Sequence, residues 1–205
     1  MNLVNIKEHT FIDKDFTNNK AVIVDLGACL GEFTAEFSEK FMGIKKSVLI
    51  EANPTNFNLI KDIENTEKLN RFISTVNGGH EIFQEDPRSP YNGTSMFNYF
   101  ENPVEHKIER INIDSILEMY NIEKIDILKI DIEGAEYDIL ENITNKTLER
   151  IDQITVEFHD FIDPSLKDRT AAIVDNMKSL GYSVISNRLD YKYGSDYYDT
   201  LFYKK

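Results

Sequence analysis

Cysteine is almost missing from this chain. The one in 205 residues, Cys29, excludes an internal disulfide, and nothing else points to an oxidising compartment. Long apolar runs are also missing, none nearing the roughly 20 residues that span a bilayer. The opening Met1–Glu8 stretch lacks the basic and apolar blocks of a signal peptide. These absences lead us to expect a cytoplasmic protein without a membrane partner. Positive charge is scarce: 23 Lys and Arg stand against 36 Asp and Glu, a net charge of −13. Nucleic-acid binders draw most of their affinity from basic side chains that neutralise phosphates. No nucleic-acid partner is therefore expected, and a neutral or weakly polar substrate is easier to accommodate. With only 5 Pro and 9 Gly, no linker divides the sequence and no repeat recurs, so residues 1–205 read as a single domain.

Short β-branched runs alternate with helical periodicity, the pattern of α/β layering. Strands are predicted over 21–26, 47–51, 71–77, 125–131 and 153–159. Between them, Phe33, Phe37 and Phe41 recur every four residues before Gly43, and Asn53-Pro54 opens a helix carrying Phe57, Ile60 and Ile63. Further helices are predicted over 114–121, around Ala135, Ile139 and Ile143, and over 166–180. Residues 182–189 and 199–204 have no helix between them and must pair as an antiparallel hairpin. Residues 80–113, with Pro87, Pro90, Asn92-Gly93 and Pro103, fit the alternation poorly and read as an inserted hairpin-and-loop region.

The most informative stretch is Val24-Asp25-Leu26-Gly27-Ala28-Cys29-Leu30-Gly31, followed by Glu51 at the end of the next apolar run. Glycines let the backbone turn sharply and approach a ligand, and a carboxylate ending the second strand can grip both hydroxyls of a ribose. The dinucleotide fingerprint needs Gly-x-Gly-x-x-Gly, whereas Cys29 holds the middle position here. Asp25 would repel a pyrophosphate but suits the ammonium of a methionine moiety. S-adenosylmethionine therefore fits better than NAD. The cofactor-binding candidates are Asp25, Gly27, Ala28, Cys29, Gly31, Glu51, Ala52, Asn53, Asn77, Gly78 and Asp131.

These segments, and above all Ile125-Asp126-Ile127-Leu128-Lys129-Ile130-Asp131-Ile132-Glu133-Gly134-Ala135-Glu136, resemble the FkbM family of S-adenosylmethionine-dependent methyltransferases. Ile50-Glu51-Ala52-Asn53-Pro54, Ile154-Thr155-Val156-Glu157-Phe158-His159 and Leu180-Gly181-Tyr182 also match, from about residue 20 to the end of the chain. The resemblance implies an α/β fold: the Rossmann-like, seven-stranded class I methyltransferase sheet, mostly parallel, with an antiparallel C-terminal hairpin. It also implies methyl transfer to hydroxyls of sugars, polyketides and related small molecules. The chain departs from the family at Cys29, where Asn is common, and at Asn77-Gly78-Gly79.

A hydroxyl is a poor nucleophile until its proton is removed, and a positioned base is worth roughly 10²–10⁴-fold. Candidates lie where the fourth and fifth strands end: Asp131 and Glu133, then Glu157 and His159. His159 is the base that its chemistry favours, with a satisfied structural histidine as the other reading. Alternatively Asp131, Glu157 and His159 hold Mg²⁺ or Mn²⁺ and polarise the hydroxyl. Lys129 reads as a buried partner for Glu157 or another acid, and Glu136 as structural. Tyr91, Tyr99, Phe100, Tyr191, Tyr193, Tyr197 and Tyr198, with Asp86, Arg88, Asn92 and Asp196, are candidates to pack on and bond a small-molecule or glycan acceptor. The last hairpin is a common dimer surface for this fold, so a homodimer is one expectation. Other readings are a catalytically silent binding protein and a nucleic-acid or protein methyltransferase. The latter is disfavoured because Asp131-Ile132-Glu133-Gly134 stands where an Asn/Asp-Pro-Pro-Tyr turn is needed.

Overall fold

The fold is that of a computed structural model, described for residues 1–86, 94–95, 104–187 and 197–204. Two strands, β1 (Leu3–Ile6) and β2 (His9–Ile12), form an N-terminal hairpin. The alternation then begins with β3 (Val22–Leu26), α1 (Glu32–Lys40), β4 (Lys46–Glu51), α2 (Pro54–Leu59) and β5 (Thr66–Asn70). After it come β6 (Phe72–Ile73), β7 (His80–Glu85), β8 (Thr94–Ser95) and β9 (Val104–Ile111). The chain continues through α3 (Ile113–Met119), β10 (Ile127–Ile130), α4 (Glu136–Asn142), α5 (Asn145–Glu149) and β11 (Gln153–Glu157). It closes with α6 (Lys167–Ser179), β12 (Ser183–Asn187) and β13 (Asp199–Tyr203).

The main sheet has seven strands in the order β12-β13-β11-β10-β3-β4-β5. Six run in one direction, and β13 lies antiparallel between β11 and β12. This is the expected class I methyltransferase sheet. The chain runs outward from β3 through β4 to β5, then returns to the other side of β3 for β10. The strand order therefore reverses between β3 and β10, and a ligand crevice belongs at their carboxyl ends.

Two predicted boundaries move. The third sheet strand is Thr66–Asn70, not 71–77, and of the latter only Phe72–Ile73 is extended, paired with β9 in a second sheet. That second sheet, β6-β9-β7-β8, takes β7, β8 and β9 from the insertion expected at 80–113. The α2 helix is also shorter than its apolar spacing implied, ending at Leu59, with Ile60 extended.

The N-terminal hairpin, unread in the sequence, packs as part of the core. Phe11 and Phe16 are buried against Phe33, Phe37 and Phe41 of the α1 segment. Ring centroids stand 5.5 Å apart for Phe11–Phe37 and 4.5 Å for Phe37–Phe41. Each fully buried Phe is worth about 1.5–3 kcal/mol, enough to hold the hairpin on the sheet. Among the described residues no helix is long and apolar enough to cross a membrane.

Candidate active site

A cleft of about 600 Å³ opens at the carboxyl ends of β3, β4, β10 and β11. That volume is within the range of small-molecule and cofactor sites. One wall is the β3–α1 turn at Gly27, Ala28 and Cys29, with Glu51, Ala52 and Asn56 beside it. Arg71, Phe72, Ile73 and Phe83 form a second wall, and Asp131, Ile132, Glu133, Ala135 and Glu157 a third. Lys7, Glu8 and His9 of the N-terminal hairpin close the fourth side.

The cofactor half is built from backbone. Gly27 and Ala28 N–H groups both donate to Ile50 O, at 2.9 and 3.0 Å, pinning the turn to β4. Glu51 ends β4 buried, accepting from Cys29 N through Oε2 and from Asn53 N through Oε1, each at 2.7 Å. Burial pushes the Glu51 carboxyl up to about 7 against these two hydrogen bonds. Burial and the Glu51 charge push the Cys29 thiol up to about 11, so Cys29 is no thiolate nucleophile. Asn56, which the sequence reading passed over, is buried at the cleft wall, and its Oδ1 has no partner. An orphaned acceptor beside the Glu51 carboxylate fits an adenosyl group, which brings donors to both.

Several cofactor candidates lie elsewhere. Asp25 is fully buried beneath the turn, not on the cleft. Its Oδ2 accepts from Thr34 Oγ1 at 2.8 Å and its Oδ1 lies 3.2 Å from Lys129 Nζ, so it cannot meet a ligand ammonium. Lys129 also donates to Gly27 O at 2.5 Å, tying β10 to the turn. Lys129 is thus the buried partner expected, for Asp25 and Asp131 in place of Glu157. Gly27 is fixed by packing: at φ +76°, a Cβ there would stand 1.7 Å from Asp131 O. Gly31 and Asn53 serve the framework. Gly31 faces Ile60 and Leu49, and Asn53 Oδ1 caps α2 by accepting from Thr55 N at 2.8 Å. Asn77 and Gly78 do not line the cleft, and Gly78 instead exchanges hydrogen bonds with Arg110. With the third strand ending at Asn70, the chain meets the cleft at Arg71–Ile73.

The other half is acidic. Asp131, Glu133 and Glu157 all face the cleft. Burial would raise Asp131, but Lys129, His9 and His159 hold its carboxyl well below the usual range. Burial pushes Glu133 up to about 7, with the Asp131 and Glu136 charges adding to it. Burial and Asp131 push Glu157 up to about 8. Glu133 takes a left-handed backbone, φ 52°, uncommon outside glycine.

His159 departs from its expected role as base. Its ring is buried and absent from the cleft wall. Nδ1 lies 2.9 Å from Glu136 Oε1, and Nε2 faces Glu133 at 3.4 Å, Glu157 at 3.8 Å and Asp131 at 3.9 Å. Burial opposes its charge, yet Glu136, Glu133 and Asp131 raise it to about 10. A histidine held protonated accepts no proton, so His159 anchors the carboxylates from behind. The proposed ligand set Asp131, Glu157 and His159 is divided accordingly. Among the described residues, the groups close enough to share an ion are His9, Asp131 and Glu157, and Asp131, Glu133 and His159.

His9 is the main residue the sequence did not reveal. It is fixed by contacts more than 100 residues away in the chain: Thr10 Oγ1 donates to Asp199 Oδ2 at 2.6 Å, and Ile12 N to Gln153 Oε1 at 2.7 Å. Of the acceptor-pocket candidates, Tyr91, Tyr99, Phe100, Tyr191, Tyr193, Arg88, Asn92 and Asp196 lie outside the described residues. Tyr198 donates from its hydroxyl to Glu8 Oε2 at 2.6 Å, beside the cleft wall, while Tyr197 packs against the core.

Residues 25–184 match the family described as the methyltransferase FkbM domain. Over 94 residues the chain is 30% identical to the AMB antimetabolite synthetase AmbE of Pseudomonas aeruginosa, covering 46% of this chain and 4% of that protein. It is 22% identical to Methyltransferase 1 of Beauveria bassiana, covering 91% of this chain and 83% of the relative. A methyltransferase FkbM structure from Methylobacillus flagellatus KT superposes with a TM-score of 0.56 at 15% identity, over 90% of this chain and 44% of that one.

Proposed function

The chain belongs to the FkbM methyltransferase family, and we propose that it is an S-adenosylmethionine-dependent O-methyltransferase acting on a hydroxyl of a glycan or related small molecule. The observation that carries this reading is the division of one cleft into a half around Glu51 and the Gly27–Cys29 turn and an acidic half around Asp131, Glu133 and Glu157. The cofactor supplies a methyl group on a sulfonium, open to in-line displacement. Glu51 would hold the ribose, the Gly27–Cys29 turn would supply backbone at the amino-acid end, and Asn56 Oδ1 would accept from the base. Glu133 faces the cleft, 36% exposed, where an acceptor hydroxyl would lose its proton. The Glu133 carboxylate would accept that proton. Lys129 and His159, both buried, keep the carboxylates fixed, Lys129 at the cleft wall and His159 behind it. Holding acceptor and donor about 3 Å apart supplies much of the rate. Arg71 and the rings of Phe72 and Phe83 give their wall of the cleft a cation and two apolar faces.

The test is calorimetric titration with S-adenosylhomocysteine, alongside NAD and repeated in Glu51→Ala. Micromolar binding of S-adenosylhomocysteine alone, lost in the variant, supports the reading and leads to screening of sugar acceptors. Binding of NAD in its place would overturn it, and tight binding with no turnover across acceptors would leave a silent binding protein.

A further inference from the structure

We propose that His9, Asp131 and Glu157 form a binding site for a divalent transition-metal ion of the Mn²⁺ type, at the acceptor end of the cleft. One donor atom from each lies within 4.8 Å of the other two, a spacing from which a single ion can draw all three inward. The donors come from three separate elements: the start of β2, the end of β10 and the end of β11. All three line the cleft, so an ion there would be open to a ligand. The second group, Asp131, Glu133 and His159, lacks that access, because His159 is walled off and its Nδ1 is engaged by Glu136.

His9 is what distinguishes this group from an ordinary cluster of acids. It is 3% exposed, its Nδ1 has no partner, and its Nε2 stands 3.6 Å from Asp131 Oδ2. Phe33 meets the ring edge-on at 5.6 Å, and the flanking Thr10 is tied to Asp199, so the imidazole is locked in place. A buried imidazole whose Nε2 is turned toward the Asp131 carboxylate at the cleft wall is placed to serve as a ligand. Lys129 pairs with both Asp25 and Asp131 from beneath the turn, and Asp131, Glu133 and Glu157 gather three carboxyl groups at the cleft face.

One imidazole and two carboxylates suit Mn²⁺, Fe²⁺ or Zn²⁺ better than Mg²⁺, which favours oxygen donors alone and keeps its waters. Three protein ligands leave positions open for acceptor oxygens, and a Lewis acid there lowers the pKa of a hydroxyl. This use of the ion rests on the proposed methyl transfer, whereas the site itself does not.

The test is titration of the full chain with Mn²⁺, followed by the loss of the free-ion EPR signal, with S-adenosylhomocysteine binding measured in parallel. One ion per chain is expected at micromolar affinity. His9→Gln and Glu157→Gln should each weaken it by more than the about 10–100-fold that loss of an outer-shell partner brings. Glu85→Gln, which alters a His–Glu pair on the second sheet, should leave it unchanged. Should either site variant fail to fold, pulsed EPR of the wild type must still show nitrogen modulation from a coordinated imidazole. No stoichiometric Mn²⁺ binding, or binding without nitrogen modulation, overturns the proposal. Intact S-adenosylhomocysteine binding in that case leaves the methyltransferase reading standing, and Mn²⁺ binding without it would overturn that reading alone.

Discussion

His159 Nδ1 lies 2.9 Å from Glu136 Oε1, the two side chains 2% and 0% exposed. The same carboxylate accepts from His159 N at 3.0 Å and from Gly134 N at 2.8 Å, so one buried acid fixes both the turn after β10 and the end of β11. Glu136→Ala removes all three bonds and leaves the imidazolium without its nearest counter-charge. A loss of about 3–5 kcal/mol is expected, read as a lower denaturant midpoint with an unchanged slope. A loss below about 1 kcal/mol would show that the pair is replaceable by water.

Glu51 sets a pH dependence. Its folded pKa is about 7 against an ordinary 4.5. A raised folded pKa gives a contribution that is complete below about pH 4.5 and lost as pH rises through about 7. Stability of the ligand-free protein should therefore decline across that window, and Glu51→Gln should flatten the decline. Affinity for S-adenosylhomocysteine should run the opposite way, because ribose hydroxyls donate best to the ionised carboxylate. It should rise about tenfold from pH 6 to pH 8, following the ionised fraction. A flat affinity profile in the wild type would mean that Glu51 does not touch the ligand.

Gly27 and Gly43 both have positive φ, +76° and +117°, but only Gly27 faces an obstacle, Asp131 O at 1.7 Å from an added Cβ. Gly43→Ala is expected to cost about 1 kcal/mol, the backbone term alone. Gly27→Ala must also part β3 from β10, and more than about 4 kcal/mol or complete loss of folded protein is expected. Equal thermal midpoints for the two variants would contradict the packing role.

Lys129 and Asp25 pair across adjacent strands at 3.2 Å, 4% and 0% exposed. Lys129→Met strands Asp25 in the core and should cost about 3–5 kcal/mol. Adding Asp25→Asn should recover part of that loss, with a coupling of about 1 kcal/mol or more in a double-mutant cycle. Strict additivity would show that the two charges do not depend on each other.

Much of the molecule is legible from local chemistry. The Gly27–Gly31 turn, the carboxylate closing β4, the β10 strand and the Phe33, Phe37 and Phe41 stripe are each encoded within a few residues, and each falls where its pattern indicates. The third strand was misplaced for an equally local reason. Thr66-Glu67-Lys68-Leu69-Asn70 is polar because β5 is the edge of the sheet, whereas the more apolar Phe72–Ile73 packs against β9 in another layer.

The sequence by itself determined the layered α/β order, the turn that faces the cleft and the identity of its acids, because periodicity and turn chemistry act over one or two turns of chain. Tertiary structure alone decided which polar groups meet. It sank Asp25 onto Lys129 and turned His159 toward Glu136. It also carried His9 to Asp131, 122 positions along the chain. Pairings of this kind depend on strand order and on which charges water can still reach, and neither is set by residues adjacent in the chain.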